Sequence, residues 1–397
     1  CERTIHKQAF FFAVPNLHDH LEAINACVVA LYATIMQASG EVDPQHTVLI
    51  TNVAAPVEAG LGRYVELLQT LSIHPIISLS EVRSHGLLCF DKVVLGLAGD
   101  LDIVTNSDPY ITRQVAQLRL FFTGALGLDT STMQRFRGTP TLVIIQRKDT
   151  RSVVNEVQLV ADAESVGYNP LLIDFKKLPM GQQIAVMQNS SVLFGVYGAG
   201  LTNALWMPRG GVVIQVLPFG CKGHLGGEFQ TIANHGPGHY IELSLAADAT
   251  GEWPWTPPPS ALADPDSLWA WHAPGHGPGE EDDEEDEEAG DDAAAAAAAQ
   301  EEAEDTAHDH GHGHGHGHGH GHGHGHSHRM GELEDKHADY SGTHGHATAT
   351  LLFTKQTKLT LDLEAARAAL REALSLLSMP PTAAWLPNQP SMGVVYE

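Results

Sequence analysis

SSVLFGVYGAGLTNALWMPRGGVVIQVLPFG, residues 190–220, is the stretch whose pattern decides the fold. Ser191–Val196 is a short unbroken apolar run, as expected of a strand covered on both faces. Gly198-Ala199-Gly200 follows as a turn of small residues, with Thr202 and Asn203 placed to cap a short helix. Gly211–Leu217 is a second apolar run, ending before Pro218. Strand, helix-bearing crossover and strand make a βαβ unit, and hence an α/β protein with a parallel sheet.

The alternation extends upstream. Thr141–Ile145 reads as a strand, Asn155–Val166 as a helix closed by Gly167, Leu171–Phe175 as a strand and Gly181–Gln188 as a helix. Before residue 136 the signals are of the same kind. Thr47–Val53 and Leu87–Leu97 are strand runs, and Gly62–Ser72 and Thr112–Leu128 have helical spacing. Ile24–Met36 is apolar but shorter than the ~18 residues of a membrane span, so it reads as a core helix. From about 246 to 346 the order fails. Pro257–Pro259, an acidic run, Ala293–Ala299 and an alternating His–Gly tract, His310–His326, follow one another. Such composition cannot offset the entropy of folding and is expected to be disordered. Extended segments then return at Leu351–Phe353 and Lys358–Leu361. Leu363–Leu377 reads as a helix with Asp362 as its N-cap. The expected organisation is one α/β domain over 1–135, a second over 136–245, an insert over 246–346, and a closing strand and helix with a tail over 347–397.

The 397 residues suffice for about two domains and additional material. The formal net charge is −26, but Glu280–Asp305 alone holds fifteen Asp and Glu, leaving −11 for the rest. No basic face stands out to displace counterions from a phosphate backbone, which argues against nucleic acid as a partner. Cys1, Cys27, Cys89 and Cys221 are far apart and form no CxxC pair. They read as buried free thiols, with one bridge in an oxidising lumen as the alternative. The chain opens on Cys1, not Met, and so reads as a fragment whose own N-terminus, with any anchor, is missing.

The Gly198–Asn203 turn is where chemistry is expected. Gly198 and Gly200 let backbone approach a ligand closely. A helix N-terminus offers free N–H groups and partial positive charge, which suits a diphosphate. Ligands of open parallel sheets bind beyond the carboxyl ends of strands. On spacing alone, a close-packed turn without a ligand fits equally well.

Taken whole, the 190–220 segment resembles glycosyltransferase family 61, whose members carry a "GVHGAGLTN…P…V.Q/E..P.G" block. Gln146–Glu156 (QRKDTRSVVNE) resembles the family's "R…R…N" segment after the first strand of its donor domain. Leu71-Ser72, Leu88-Cys89-Phe90 and Gly96-Leu97 resemble the N-terminal half of plant-type members, and Tyr240–Leu243 and Leu359–Leu377 their closing segment. Gln215 matches the Gln of plant-type members. The resemblance implies inverting sugar transfer on a GT-B-like fold of two Rossmann-like domains, the first facing the acceptor and the second binding the nucleotide-sugar. It implies a UDP-sugar donor carrying xylose, arabinose or N-acetylglucosamine, a glycan or glycoprotein acceptor, and no required metal or cofactor. It places the protein in the Golgi or endoplasmic reticulum lumen, held to the membrane only through a missing N-terminal anchor.

By this resemblance Arg147 and Arg151 match the family's arginines, and guanidinium forks suit the phosphate oxygens of a departing diphosphate. With Asn155, Tyr197, Gly198, Ala199, Gly200, Leu201, Thr202 and Asn203 they make up the expected nucleotide-sugar site. Asn155 reads equally as a residue that orders the loop or caps the helix. Tyr197 departs from the family, most of whose members carry His there. It can donate a hydrogen bond to phosphate but cannot carry a proton at neutral pH as His can. The departure leaves two readings open, an intact donor or a weakened enzyme. Inversion also needs a base at the acceptor hydroxyl. Asn16–Glu22 (NLHDHLE) loosely resembles the family's N-terminal "NL.H…HD" stretch, making Asp19 and His20 the expected catalytic pair. The alternative is a polar helix start with surface histidines.

Asp100-Leu101-Asp102 has the form of a metal-binding Asp-x-Asp, but a site built on basic residues has no use for it, and no catalytic role is expected. The His–Gly tract can take up Zn²⁺ or Ni²⁺ adventitiously, without defined geometry. Two competing functions remain: a non-catalytic nucleotide-sugar- or carbohydrate-binding relative, and a metal-binding protein acting through that tract.

Overall fold

The structure, a computed structural model, describes residues 3–14, 17–84, 88–99, 101–133, 139–148, 151–219, 221, 226–246 and 358–378. β1 (Arg3–Phe12), β2 (Thr47–Thr51), β3 (Ile77–Ser78) and β4 (Leu88–Leu95) form a four-stranded sheet in the order β3-β2-β1-β4. β5 (Thr141–Ile145), β7 (Asn169–Ile173), β8 (Val192–Val196), β9 (Val212–Leu217) and β10 (His239–Ser244) form a five-stranded sheet in the order β10-β9-β8-β5-β7. Every pairing in both sheets is parallel. The expected α/β class with parallel sheets is therefore observed. β8 and β9 are buried at every position, which is why their sequences run apolar without alternation.

Six longer helices cover these sheets: α1 (His20–Ser39), α2 (Pro109–Ala125), α3 (Glu156–Val166), α4 (Met180–Gln188), α5 (Gly227–His235) and α6 (Leu363–Ser378). α1 is longer than its apolar run suggested, with a π-helical stretch at Ala23–Val29. By length and composition it could cross a membrane. Its Ile24, Val28, Leu31 and Ile35 are nonetheless fully buried, so it serves as the core helix the sequence implies. One core joins Phe10, Ile24 and Leu31 to Val143, Leu193, Trp206 and Val213. A second core lies on the other face of the five-stranded sheet, under α3 and α6.

α6 buries Ala366, Ala369, Leu370 and Ala373, a helical stripe of spacing three and four. Tyr168 Oη donates to the Leu370 carbonyl at 2.8 Å, and Arg367 pairs with Asp162 at 2.6 Å. A short ladder between β6 (Ser152–Val153) and β11 (Lys358–Leu359) closes the same region. Residues 358–378 thus complete the half of the molecule that holds β5 to β10.

Two local expectations need correction. β7 ends at Ile173, before Phe175, because Asp174 caps a 3-10 turn by accepting from the Lys176 N–H at 3.1 Å. The helical run over 62–72 breaks into a 3-10 turn at Gly62–Tyr64 and a short helix at Val65–Gln69. The division at 135/136, the insert beyond Ala246, Leu351–Phe353 and the tail past Ser378 lie outside the described residues.

Candidate functional site

The carboxyl ends of β5 and β8 bring Arg147, Arg151 and Gly198 together. Arg147 follows β5 by two residues and Gly198 follows β8 by two. Gly198 has φ +150, and a Cβ added there would stand 2.6 Å from Arg147 Nη1 and 2.7 Å from Arg151 Nη1. Both guanidinium groups therefore lie against the bare backbone of the turn, where a side chain would displace them. Arg151 reaches this position from a left-handed backbone, φ 54, an unusual conformation for a residue with a side chain. Its Nη1 donates to the Tyr197 carbonyl at 2.7 Å, while its Nε is buried and unpartnered. Burial, and then the like charge of Arg147, lowers its pKa to about 10. Two cations crowded at a strand end form a site suited to an anion.

The turn continues into a 3-10 helix, Ala199–Trp206. Leu201, Thr202 and Asn203 are buried, and Asn203 Nδ2 donates to the Gly200 carbonyl at 3.2 Å. Among the described residues, Thr202 Oγ1 and Asn203 Oδ1 have no hydrogen-bond partner. The expected cap is not formed: Thr202 and Asn203 lie inside the helix, whose N-cap is Gly198, and no side chain caps it.

Tyr197 interacts through its hydroxyl with Glu228 of α5. Burial and the neighbouring Glu228 carboxylate, with which its hydroxyl interacts, push its pKa up. Its ring meets Phe229 edge to face at 5.6 Å and has the Arg151 guanidinium 5.8 Å from its centroid. Glu228 also accepts from the Gly226 N–H at 3.1 Å at the start of α5. Tyr197 therefore ties β8 to α5, a role the sequence could not reveal because nothing marks Glu228. Tyr197→Phe should cost about 1 kcal/mol of stability, the size of one hydrogen bond. UDP affinity should change by less than about threefold. A tenfold loss of affinity with unchanged melting would instead make the hydroxyl a ligand donor.

Asp19 and His20 part company. Asp19 is exposed and caps α1, its Oδ1 accepting from the Leu21 and Glu22 N–H groups at 2.8 and 3.1 Å. Its negative charge works against the lowering of the Arg151 pKa. His20 is buried, hydrogen-bonded through Nδ1 to Tyr64 Oη at 3.0 Å and facing Asn203. Burial, then the Arg63 charge, lowers its pKa to about 3. This corrects the expectation for His20: a buried imidazole that resists a proton so strongly is a poor general base. It holds α1 against the turn instead.

The sign of its linkage follows. The unfolded chain takes up a proton on His20 below pH 6.5 and the folded chain does not, so stability falls with pH through that window toward pH 3. Between pH 7 and 5, His20→Gln should flatten the pH dependence of unfolding free energy by about 2 kcal/mol, read from urea midpoints. An unchanged slope would show that His20 titrates normally.

Asn155 is occupied elsewhere. Its Nδ2 donates to the Leu361 carbonyl at 2.9 Å, and its Oδ1 accepts from the Leu361 N–H at 3.0 Å. It orders the segment leading into α6, the alternative left open by the sequence, and makes no cap bond to α3. Asp102 is likewise structural, accepting from Asn25, the Val104 N–H and the Thr105 hydroxyl. Asp100 and the His–Gly tract lie outside the described residues. Among the described residues no group of three His, Cys, Asp or Glu is placed to hold a metal. Cys89 is disulfide-bonded, correcting the reading of the cysteines as free thiols. Cys27 and Cys221 are free, and burial pushes both up to about 12. Cys221 lies within electrostatic reach of Arg151, a proximity its sequence position does not announce.

The glycosyltransferase 61 family model matches residues 62–214. That range holds Arg147, Arg151 and the whole turn from Gly198 to Asn203, but not Asp19 or His20. The chain is 28% identical over 212 residues to the beta-1,2-xylosyltransferase XAX1 of Oryza sativa subsp. japonica, covering 51% of this chain and 35% of that protein. It is 30% identical over 210 residues to the alpha-1,3-arabinosyltransferase XAT3 of the same plant, covering 51% and 34%. It is 24% identical over 217 residues to protein O-linked-mannose beta-1,4-N-acetylglucosaminyltransferase 2 of Xenopus laevis, covering 52% and 36%. The chain thus spans about a third of the length of these curated relatives.

Proposed function

Because residues 62–214 carry a glycosyltransferase 61 domain, we propose that the protein transfers a sugar from a UDP-sugar to a hydroxyl of a glycan or glycoprotein, with inversion. The observation that carries this reading is the pair of guanidinium groups converging on Gly198 at the ends of parallel strands. The acceptor oxygen attacks the anomeric carbon from the side opposite the diphosphate. A carbon–oxygen bond forms there as the bond to the departing phosphate oxygen breaks. Arg147, Arg151 and the N–H groups of the turn take up the negative charge that develops on the diphosphate. The acceptor proton passes to a carboxylate, and Asp19, exposed and within reach of Arg151's charge, is our choice for it.

The two parallel sheets support a GT-B-like plan, with residues 1–135 on the acceptor side and 136–245 on the donor side, the latter completed from 347–397. The names of the relatives suggest xylose, arabinose or N-acetylglucosamine as the sugar. The disulfide at Cys89 favours an oxidising compartment such as the Golgi or endoplasmic reticulum lumen. The test is UDP release from UDP-xylose, UDP-arabinose and UDP-N-acetylglucosamine, with Mn²⁺ and with a chelator. Turnover of at least one donor, unaffected by the chelator, is the expected result. Tight UDP binding without turnover would favour a non-catalytic nucleotide-sugar-binding relative. Absence of UDP binding would remove the reading altogether.

A further inference from the structure

In β9, Gln215 is fully buried, yet among the described residues neither its Oε1 nor its Nε2 has a hydrogen-bond partner. Buried amides are almost always bonded, so this one needs an explanation. It lies two residues from the carboxyl end of its strand, and the register pairs it with Gly195, three residues before the Gly198 turn. Gly226, at the start of α5, closes over it so tightly that a Cβ there would stand 2.1 Å from Nε2. Tyr197 links the two halves of this corner, meeting Arg151 on one side and Glu228 and Phe229 of α5 on the other.

The corner offers an uncharged counterpart to the arginine cradle. A primary amide presents one acceptor and two donors in a plane, which matches neighbouring C=O and N–H groups better than it matches phosphate. We propose that Gln215 reads the nucleoside of the donor, its amide pairing with the neutral hydrogen-bonding groups of a pyrimidine nucleotide whose diphosphate rests on Arg147, Arg151 and Gly198. This inference rests on the proposed nucleotide site and adds to it the residue that selects the nucleoside.

The test compares the full chain with Gln215→Leu by titration calorimetry against UDP, dUDP, ADP and inorganic pyrophosphate, with melting temperature alongside. Leucine fills the same volume without unpaired polar atoms, so the variant should melt higher than the parent. Its pyrophosphate affinity should be unchanged. Its preference for UDP over ADP should fall by about tenfold, the equivalent of one hydrogen bond. A fall in the UDP-over-dUDP preference instead would support the assignment with the ribose as the group read. Unchanged values of both preferences would overturn it, as would a lower melting temperature in both Gln215→Leu and Gln215→Met, which would mark a structural amide. Gln215→Met, equally free of hydrogen-bonding groups but unbranched, provides the same comparison if leucine packs poorly. Failure of the parent chain to bind either UDP or pyrophosphate would overturn the nucleotide site itself, a result distinct from loss of nucleoside preference alone.

Discussion

Gly198→Ala is expected to weaken UDP binding by about a hundredfold through one added methyl group. The argument is steric. The added Cβ would lie within 2.7 Å of two guanidinium nitrogens. Side-chain ends can move where backbone cannot, so the fold survives, but the two arginines must leave the position in which they converge. Two charged hydrogen-bond donors are then misplaced at once, at about 1.5 kcal/mol or more each. The backbone adds a smaller penalty, because φ +150 suits glycine and few others. The signature is a large rise in the UDP dissociation constant with a modest fall in melting temperature. Near-parental affinity would show that the arginines do not bind through the cradle seen around Gly198.

Removing the arginines should act in the same direction. Arg147→Ala and Arg151→Ala are each expected to weaken UDP and pyrophosphate binding by tenfold or more, from about 1.5–3 kcal/mol per charged hydrogen bond. The two should differ in their side effects. Arg151 donates to the Tyr197 carbonyl and is mostly enclosed, so its loss also loosens the end of β8. Part of that cost is offset, because the variant relieves a buried charge crowded by Arg147. Arg151→Lys should not restore binding, since an ammonium cannot reproduce the fork that reaches both carbonyl and phosphate. Binding that survives both alanine variants would place the nucleotide elsewhere.

Much of this corner was legible in the chain because local sequence and local structure coincide there. β5, β8 and β9 are short, largely apolar runs, interrupted only by Thr141 and Gln215, and covering both faces of a parallel sheet demands such runs whatever else surrounds them. The left-handed residue closing α3 could only be read at Gly167, and the structure places it there with φ 109. The first sheet was harder. β1, the strand paired to both β2 and β4, reads RTIHKQAFFF, and its polar first half hides its central position. Its partner β4, half of whose residues are exposed, could be read as a strand run, but nothing in the run shows that it pairs with β1. Asn155 and Asp102 could be seen as polar residues in loops, but not that their bonds run to Leu361 and Asn25.

The sequence by itself determined the class of fold, the turn between β8 and β9, and the arginines that follow β5, because each depends on residues close along the chain. Tertiary structure alone decided what those residues face. Gly198 and Arg147 are far apart in sequence and touch only because β5 and β8 are neighbours in the sheet. His20 became unfit as a base only when α1 packed it under Tyr64 and beside Asn203, since desolvation is set by the surroundings and not by the motif. Tyr197 turned from an expected phosphate donor into a tie to α5 for the same reason: the position of Glu228 is fixed by how a distant helix packs, and no pattern in the chain records it.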